Sequence, residues 1–352
     1  MSRISTLLFW YNQQNFNFPW RINQHPYNIW ISEIMLQQTQ VKAVIPYYMK
    51  WINKYPTIND LEKSSIDDLL LLWQGLGYYK RAHYILKTAQ IIVKDYMGIF
   101  PHEYSELIKL PGVGDYTASM ILSISFSDNA HIPIDGNIKR IMSRLYVLSL
   151  KRGHLKNYKR YAAKYISPDN PGDSIQALMD LGREICKPQN PQCDDCPINS
   201  YCIANHTNRT NLFPVIIKKK KIPHYQISVG LIWHKNRFII SQRNTNKLLG
   251  GLWELPGGKR KNTETALQCL KREIKEELDI EIMKIQLIGI IKHQYSHMKL
   301  SITLFECKYK SGDAKPLASQ KIKWINYNHK KEFAFPRATH KLFQIYEANK
   351  CK

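Results

Sequence analysis

The pattern of apolar and polar residues changes once along the chain, near residue 210. Before this point apolar residues recur at helical spacing, and no strand-like alternation appears. After it, apolar and polar residues alternate, and this predicts strands at 226–233, 237–242, 285–291, 300–309 and 323–325. The pattern therefore predicts a multidomain protein in which an all-α domain is followed by an α+β domain.

Residues 28–37 predict a short helix that is apolar on nearly every side, and such a helix is buried. Glu33 lies inside it. Burial among apolar side chains raises the pKa of a carboxyl group, which suits it to carry a proton near neutral pH. The alternative is a glutamate that reaches solvent or pairs with an arginine, and on this stretch alone the alternative is favoured.

A glycine turn, Leu110-Pro111-Gly112-Val113-Gly114, separates two helical patterns, and a lone acid, Asp135, follows downstream. Glycines allow close approach of the backbone, and amides that lead into a helix suit a phosphate group. The turn thus predicts a backbone grip on nucleic acid beside a carboxylate. A plain helix connection with an N-capping aspartate explains the same residues, and the turn alone does not decide between the two.

The stretch Gly75-Leu76-Gly77-Tyr78-Tyr79-Lys80-Arg81 interrupts the helical pattern. Aromatic rings beside two cations are what base stacking and phosphate contact require. Tyrosine pairs are also ordinary core residues, so this motif is weak by itself.

Composition points to a polyanionic partner. The chain has 352 residues, which favours two domains, and a formal net charge of +23 with a pI of about 9.6. A lysine-rich proteome would give a similar charge without any function. Since no apolar run reaches bilayer length, we expect a cytosolic protein.

Four of the 7 cysteines, Cys186, Cys193, Cys196 and Cys202, crowd into one short stretch. Such crowding in a reducing compartment predicts a metal site and not a disulfide framework. The thiolates could enclose a 4Fe-4S cluster or a single zinc ion. The stretch contains only one Cys-x-x-Cys pair, whereas zinc sites more often have two, so we predict iron-sulfur.

Residues 211–223 form a basic connector that includes the run Lys218–Lys221, either a solvated tether or a DNA contact. Beyond it stands Gly258-x5-Glu264-x7-Arg272-Glu273-Ile274-x-Glu276-Glu277. On a helix Glu273, Glu276 and Glu277 share one face, as in a Mg²⁺-diphosphate site. An exposed Glu/Lys helix is the alternative, which the preceding Leu255–Gly258 makes less attractive.

Together these stretches resemble the MutY family of adenine DNA glycosylases, over nearly the whole chain. Residues 1–210 resemble a helix-hairpin-helix glycosylase whose 4Fe-4S loop is 186–202. Within that superfamily, the motif around Glu33 (WISEIMLQQTQ) and GLGYYKRA are similar to the adenine-specific branch. Residues 224–352 resemble its Nudix-like domain, and 211–223 its linker.

The resemblance implies catalytic roles for four residues. Glu33 matches the general acid that protonates adenine and later activates water, and Asp135 matches the acid that stabilises the sugar cation. Asn137 matches a supporting polar residue. Tyr116 stands where the endonuclease III branch has a lysine nucleophile, and a phenol forms no Schiff base. The resemblance thus implies a monofunctional glycosylase whose nucleophile is water.

The resemblance also implies the DNA contacts. Gln38 and Tyr78 match the residues that fill the space left by the extruded adenine, Gly112 and Gly114 grip the backbone, and Lys139 is expected to contact phosphate. The loop Tyr295-Ser296-His297 matches a Phe-Ser-His loop that reads 8-oxoguanine on the opposite strand. The expected partner is double-stranded DNA with adenine opposite 8-oxoguanine or guanine, bound by a monomer in the cytoplasm at the nucleoid.

The Nudix motif keeps its carboxylates and has Asp279 in place of its last glycine. Mg²⁺-dependent nucleotide hydrolysis is therefore an open hypothesis, ranked below a scaffold role for this helix. Two other readings compete with the whole assignment. One is an endonuclease III-like lyase for oxidised pyrimidines, disfavoured by Tyr116, and the other is a nucleotide pyrophosphohydrolase with a helical DNA-binding module.

Overall fold

The computed structural model describes residues 2–14, 16–148, 155–215, 222–261 and 263–350. Up to residue 215 the described regular elements are helices: α1 Arg3–Gln13, α2 Pro26–Leu36, α3 Val41–Lys54, α4 Ile58–Glu62, α5 Ile66–Trp73, α6 Lys80–Asp95, α7 Tyr104–Leu107, α8 Asp115–Ser125, α9 Gly136–Tyr146, α10 Leu155–Ala162, α11 Pro171–Glu184 and α12 Ile203–His206. The predicted all-α character of this part is confirmed. The lysine run Lys218–Lys221 lies outside the described residues. Among the helices that are described, none has the length and apolar character needed to cross a membrane.

Helix α2 is buried on nearly every side, as its sequence predicts. Pro26 occupies the first turn, where a missing amide hydrogen breaks no intrahelical bond, and the His25 side chain accepts a hydrogen bond from the Tyr27 amide. Most of its apolar residues are buried, Trp30 and Ile31 completely so. Glu33, which lies among them, is therefore held away from bulk water.

The turn between α7 and α8 needs glycine at position 112. Gly112 has a φ of +77°, and a Cβ there would lie 2.8 Å from the Cβ of Tyr84. The first residue of α8, Asp115, accepts hydrogen bonds from the Tyr104 hydroxyl at 2.8 Å and from Lys159 Nζ at 2.7 Å. These contacts fix the start of α8 and leave the turn at the surface of the helical part.

Helix α9 begins directly after Asp135. The Asp135 carboxylate caps it by accepting a hydrogen bond from the Ile138 amide at 2.7 Å. Helix α11 packs closely against α9 because Gly182 faces Asn137, where a Cβ would lie 2.6 Å from the Cβ of that asparagine. The N-terminal turn of α9 is thus fixed by its own cap and by a neighbouring helix.

The C-terminal part is built on a mixed sheet, and the predicted α+β class is confirmed. Its described elements are β1 His224–His234, β2 Arg237–Gln242, β3 Trp253–Glu254, β4 Gly257–Lys259, α13 Ala266–Leu278, β5 Ile280–Tyr295, β6 Met298–Gly312, β7 Lys321–Asn326 and α14 Arg337–Lys350. The strand order is β3-β2-β1-β6-β5, with β4 paired to β1 and β7 to β2. Strands β1 and β6 run parallel, with Ile227 opposite Ile302.

Both faces of this sheet are covered. Successive side chains of a strand point to opposite faces, so Leu231 packs in a core with residues of α14, whereas Ile232 packs against α13. Helix α13 starts with a capping box between Thr265 and Gln268 and ends at Asp279, which has a φ of +56°. The aspartate that replaces the last glycine of the Nudix motif therefore adopts the left-handed conformation that glycine adopts most easily.

The chain divides into two compact units. One comprises Met1–Lys63 and Tyr84–Lys218, and the other comprises Ser64–His83 and Lys219–Lys352. Helix α5 and the loop that follows it thus group with the C-terminal part. The domain boundaries expected near residues 210 and 224 stay a prediction.

Candidate active site

A cavity of about 490 Å³ in the first unit brings most of the expected catalytic residues together. Its lining includes Glu33 from α2, Tyr116 from α8, and Asp135 and Asn137 from the start of α9. Gln38 contributes to the same lining. Residues that lie far apart in the sequence therefore face one common space.

Glu33 is the most unusual side chain in this cavity. It is 4% exposed, and its Oε2 atom is buried without a hydrogen-bond partner. Burial raises the pKa of Glu33 to about 7, and the negative charge of Asp135 adds to this rise. A hydrogen bond with Tyr116 and the charge of Arg21 act in the opposite direction. The carboxyl group is thus able to hold or release a proton near neutral pH.

Asp135 differs from Glu33 in its hydrogen bonds. Burial raises the pKa of Asp135, while hydrogen bonds from the amides of Ile138 and Asn137 and the charge of Arg140 lower it. Amide donors stabilise the ionised form of a carboxyl group. In this cavity the Glu33 carboxyl group has one oxygen without a hydrogen-bond donor, whereas the Asp135 carboxyl group accepts hydrogen bonds from two backbone amides.

Tyr116 lies between the elements that carry the two acids. Its hydroxyl points towards the Met179 sulfur at 3.9 Å, and burial raises the pKa of this phenol well above its ordinary value. The hydroxyl is consequently neutral and acts as a hydrogen-bond donor. Lys139 is exposed on α9 and is absent from the described lining of the cavity.

Sequence reasoning missed a second set of lining residues. Arg21 donates a hydrogen bond to Asp180 at 2.6 Å, and its Nε atom is buried without a partner. Trp20 and Phe18 stack beside it with ring centroids 5.3 Å apart. The short motif Pro19–Arg21 gave no signal, because the pairing of Arg21 with an acid on α11 depends on the tertiary fold.

Gln38 and Tyr78, the expected wedge residues, share an unusual backbone conformation. Gln38 has a φ of +56° and Tyr78 a φ of +48°, and neither is glycine. Residues other than glycine rarely adopt a positive φ. The backbone strain that it causes persists only where the surrounding structure enforces it. The Tyr78 side chain is 43% exposed. Each residue thus lies on a tightly held turn.

The cysteine loop is tied down by a buried arginine. Arg144 is 2% exposed and donates hydrogen bonds to the Cys186 sulfur at 3.3 Å, to the Lys187 carbonyl at 2.7 Å and to the Phe213 carbonyl at 3.0 Å. Burial raises the pKa values of Cys193, Cys196 and Cys202, and the neighbouring thiols raise them further.

Four sulfur donors that influence one another in this way suit an iron-sulfur group, because a metal deprotonates the thiols that it binds. No three His, Cys, Asp or Glu side chains among the described residues are arranged to hold a single metal ion.

A second arginine connects the cysteine loop with the cavity. Arg140 donates hydrogen bonds to the Cys186 carbonyl at 2.7 Å, to the Asn137 side chain at 2.8 Å and to the Gly182 carbonyl at 2.7 Å. One rigid guanidinium group therefore holds the cysteine loop, helix α11 and a cavity-lining side chain.

The expected opposite-strand loop forms the tip of the β5–β6 hairpin. Tyr295 pairs with Met298 across it, and Ser296 and His297 are exposed between them. The Tyr295 ring lies 4.6 Å from the His293 ring, and burial raises the pKa of Tyr295 to about 12. A half-buried ring thus supports two exposed polar side chains.

The carboxylates of α13 are engaged within the protein. Arg272 forms ion pairs with Glu264, Glu273 and Glu276. Glu277 accepts a hydrogen bond from the Gly257 amide at 3.0 Å, and burial raises its pKa to about 7. The arginine therefore ties the Nudix helix to its preceding loop.

Comparison with known proteins defines the class first. Residues 31–166 match the HhH-GPD superfamily of base excision DNA repair proteins, 186–202 match the iron-sulfur binding domain of endonuclease III, and 228–344 match the NUDIX domain. A solved thermostable thymine-DNA glycosylase is similar, with 28% identity and a TM-score of 0.54, over 58% of this chain and 95% of that one. The fold is that of a DNA repair glycosylase.

The particular family follows from full-length relatives. An adenine DNA glycosylase of Buchnera aphidicola subsp. Acyrthosiphon pisum is 38% identical over 97% of both chains. One from Buchnera aphidicola subsp. Baizongia pistaciae is 39% identical over 84% of this chain and 83% of its own. The chain belongs to the adenine DNA glycosylase family, so the predicted resemblance is confirmed. It is an enzyme that acts on DNA and carries an iron-sulfur binding domain.

The raised pKa of Glu33 predicts a specific pH dependence of stability. The folded-state pKa of about 7 exceeds the ordinary value of 4.5, so this group contributes stability below about pH 4.5 that is lost as the pH rises through about 7. Between pH 5 and pH 8 we expect the loss to amount to roughly 2 kcal/mol. Denaturant unfolding of the wild type and of Glu33→Gln at both pH values measures it, since the variant lacks the titrating group.

The exposed Glu103, changed to glutamine, is the matched control and should keep the wild-type pH dependence. If Glu33→Gln loses as much stability as the wild type between the two pH values, Glu33 does not have the raised pKa.

Proposed function

We propose that this adenine DNA glycosylase hydrolyses the N-glycosidic bond of adenine paired with 8-oxoguanine or guanine and leaves the DNA strand uncut. The observation that carries the proposal is the pair of acids in one cavity, with the pKa of Glu33 raised to about 7 and Asp135 supplied with amide donors. Two acids with opposite protonation states suit cleavage through a sugar cation.

Glu33 acts first as the general acid. Its proton moves to a ring nitrogen of adenine, and the bonding electrons of the glycosidic bond then leave with the neutral base. The sugar is left as an oxocarbenium-like cation. Glu33, now a carboxylate, takes a proton from water as the water oxygen bonds to the sugar carbon. The proton lost in the first step is thereby recovered in the last.

Asp135 stabilises the positive charge on the sugar. Hydrogen bonds from the backbone of α9 favour its ionised form and so oppose the rise in pKa that burial causes. Asn137 holds its place beside Asp135 through its hydrogen bond to Arg140. The carboxylate is thus oriented before the substrate binds, which is how electrostatic stabilisation is most effective.

Tyr116 determines that the nucleophile is water. Its neutral phenol supports the Glu33 carboxyl group by hydrogen bonding and offers no amine for a covalent sugar intermediate. Lys139 is exposed on the outer side of α9 and serves as a phosphate contact. Strand cleavage by a lyase step is therefore not part of the proposed reaction.

DNA is gripped at the turn that contains Gly112 and Gly114, which leads into the start of α8, where free backbone amides would donate to a phosphate. The adenine leaves the base stack to enter the cavity, and Gln38 and Tyr78 fill the space that it leaves. The strained turns that present both side chains support this role. The +23 net charge favours association with the polyanion.

The opposite base is read by the tip of the β5–β6 hairpin. Ser296 and His297 are exposed there and offer donors and acceptors to 8-oxoguanine, and the Tyr295 ring stacks with that of His297. Since adenine is a normal base, selectivity must come from its partner. The substrate is a duplex with an adenine mispair, and one protein monomer acts on each.

Cys186, Cys193, Cys196 and Cys202 would hold one 4Fe-4S cluster. When bound, it supplies structural cross-linking of the loop and no step of base removal. Arg144 orients the loop for this cluster through its bonds to the Cys186 sulfur and the neighbouring carbonyls. The α13 carboxylates serve as scaffold, because Arg272 already pairs with two of them, Glu273 and Glu276, and with Glu264 in the preceding loop.

The acid role of Glu33 predicts the effect of one substitution. Glu33→Gln keeps the size of the side chain and removes the titratable proton, so single-turnover release of adenine should fall by at least about 100-fold. Binding to the same duplex should stay within a few-fold of the wild type. Adenine release from A:8-oxoguanine, A:G and A:T duplexes measures the single-turnover rate, and gel-shift titration measures DNA binding.

Glu103→Gln is again the control and should leave release unchanged. Wild-type rates of release from Glu33→Gln would overturn the proposed mechanism, and no release by the wild type from any of the three duplexes would overturn the proposed function.

The hairpin tip predicts a change in opposite-base preference. In the double variant Ser296→Ala/His297→Ala, the ratio of release rates from A:8-oxoguanine and A:G should fall by about 10-fold, because about 1.4 kcal/mol of polar contact is lost. The rate from A:G should change little. Ser311→Ala, at the exposed far end of β6, is the matched control. An unchanged ratio in the double variant would contradict a reading role for this loop.

A further inference from the structure

The segment Ser64–His83 belongs to the glycosylase domain by sequence but to the C-terminal part by its contacts. It lies inside the range matched by the HhH-GPD superfamily, 31–166. The same segment nevertheless groups with residues 219–352 in one compact unit. It contains α5, the loop Gly75–Tyr79 and the first residues of α6. We call Gly75–Tyr79 the Tyr78 loop.

The first contact lies at the start of α5. Gln242, at the end of β2, is 1% exposed and donates hydrogen bonds from Nε2 to Asp67 Oδ1 at 2.8 Å and to the Gly251 carbonyl at 2.9 Å. A buried amide that loses such an acceptor is costly. The contact thus ties one end of the segment to the sheet.

The second contact lies at the start of α6. His83 Nε2 donates a hydrogen bond to the Gly250 carbonyl at 3.0 Å. The next residue, Gly251, has a φ of +80°, and a Cβ there would lie 2.7 Å from Leu70 Cδ1. Glycine at this position therefore lets the β2–β3 connection approach both α5 and α6 closely.

The third contact directly precedes the Tyr78 loop. The Phe335 amide donates a hydrogen bond to Gln74 Oε1 at 2.9 Å, and Gln74 is followed by Gly75. Phe335 is fully buried in the core that α14 forms with the sheet. The residue before the loop is therefore anchored to a rigid part of the C-terminal domain.

The Tyr78 loop is itself braced. The Gly75 amide donates to the Tyr79 hydroxyl at 3.1 Å, and Trp73 Nε1 and Arg81 Nη2 donate to the Gly77 carbonyl at 2.9 and 3.0 Å. The positive φ of Tyr78 needs such support. Tyr79 is also near enough to Tyr295, beside the exposed hairpin tip, to affect its pKa.

We propose that the C-terminal domain positions the Tyr78 loop through Asp67, Gln74 and His83, and so controls extrusion of the adenine. Contacts on both sides of the loop fix its two ends, and the same domain carries the hairpin tip that faces the opposite base. Occupation of the hairpin tip and insertion of Tyr78 then both depend on residues of one compact unit. The inference rests on the proposed function, in which Tyr78 fills the space left by adenine.

The test compares two triple variants of the full chain. Asp67→Ala/Gln74→Ala/His83→Ala removes the three hydrogen-bonding groups. Asp67→Asn/Gln74→Glu/His83→Gln keeps an acceptor, an acceptor and a donor at the same positions. Base extrusion is followed by the fluorescence of 2-aminopurine placed at the target position opposite 8-oxoguanine, and release of adenine by single-turnover rates with saturating enzyme. Thermal unfolding and the 4Fe-4S absorption spectrum check that each variant is folded.

We expect the alanine variant to lose about 10-fold in single-turnover rate, with a matching fall in the 2-aminopurine signal. The conservative variant should recover both. Tyr78→Ala should lower the rate by itself and should add little further loss in the alanine variant, because both changes remove the same step.

Wild-type rate and fluorescence in the folded alanine variant would overturn the inference. A lower rate with an unchanged 2-aminopurine signal would also overturn it, because the contacts would then act on chemistry and not on extrusion. The inference would likewise be overturned if the rate losses caused by Tyr78→Ala and by the alanine variant were fully additive. Absence of adenine release by the wild type would be a failure of the proposed function instead, so the two failures are distinguishable.

Discussion

The structure depends on keeping one carboxyl group, that of Glu33, away from water. Helix α2 is buried nearly all round, so its single acid is almost completely shielded from water, and burial raises the pKa of that acid to about 7. Asp135 lies near enough to raise that pKa further, yet its own backbone donors favour its charge. The two acids differ in hydrogen bonding, because one Glu33 oxygen has no donor whereas Asp135 accepts hydrogen bonds from backbone amides.

Two arginines make the acid pair depend on distant parts of the helical domain. Arg140 joins Asn137 to the Cys186 carbonyl, and Arg144 joins the Cys186 sulfur to several carbonyl groups of the same loop. Removal of either guanidinium group would leave buried polar groups without hydrogen-bond partners, which lowers the stability of the fold. The cysteine loop is thus connected to the cavity through Arg140, although none of the cysteines lines the cavity.

Local patterns in the sequence predicted the fold class, the cysteine loop and five strands of the C-terminal domain, but not the short strands β3 and β4, whose two or three residues are too few to show an alternation. Glu33 was different. The sequence of its helix alone favoured a glutamate that reaches solvent or pairs with an arginine. Only the family resemblance indicated that Glu33 is the general acid. Arg21 and Asp180 were missed because their pairing joins segments that no local pattern connects. The grouping of Ser64–His83 with the C-terminal part was also unforeseen, since contacts such as Gln242 with Asp67 depend on tertiary packing.

The central claim is that a protonated Glu33 starts base removal, and the pH dependence of single-turnover adenine release tests it most directly. With a pKa of about 7, the protonated fraction of Glu33 falls as the pH rises above neutrality. We therefore predict a rate that changes little near pH 6 and falls about tenfold per pH unit above about pH 8. A rate that stays constant from pH 6 to about pH 9 in the wild-type enzyme would contradict the account.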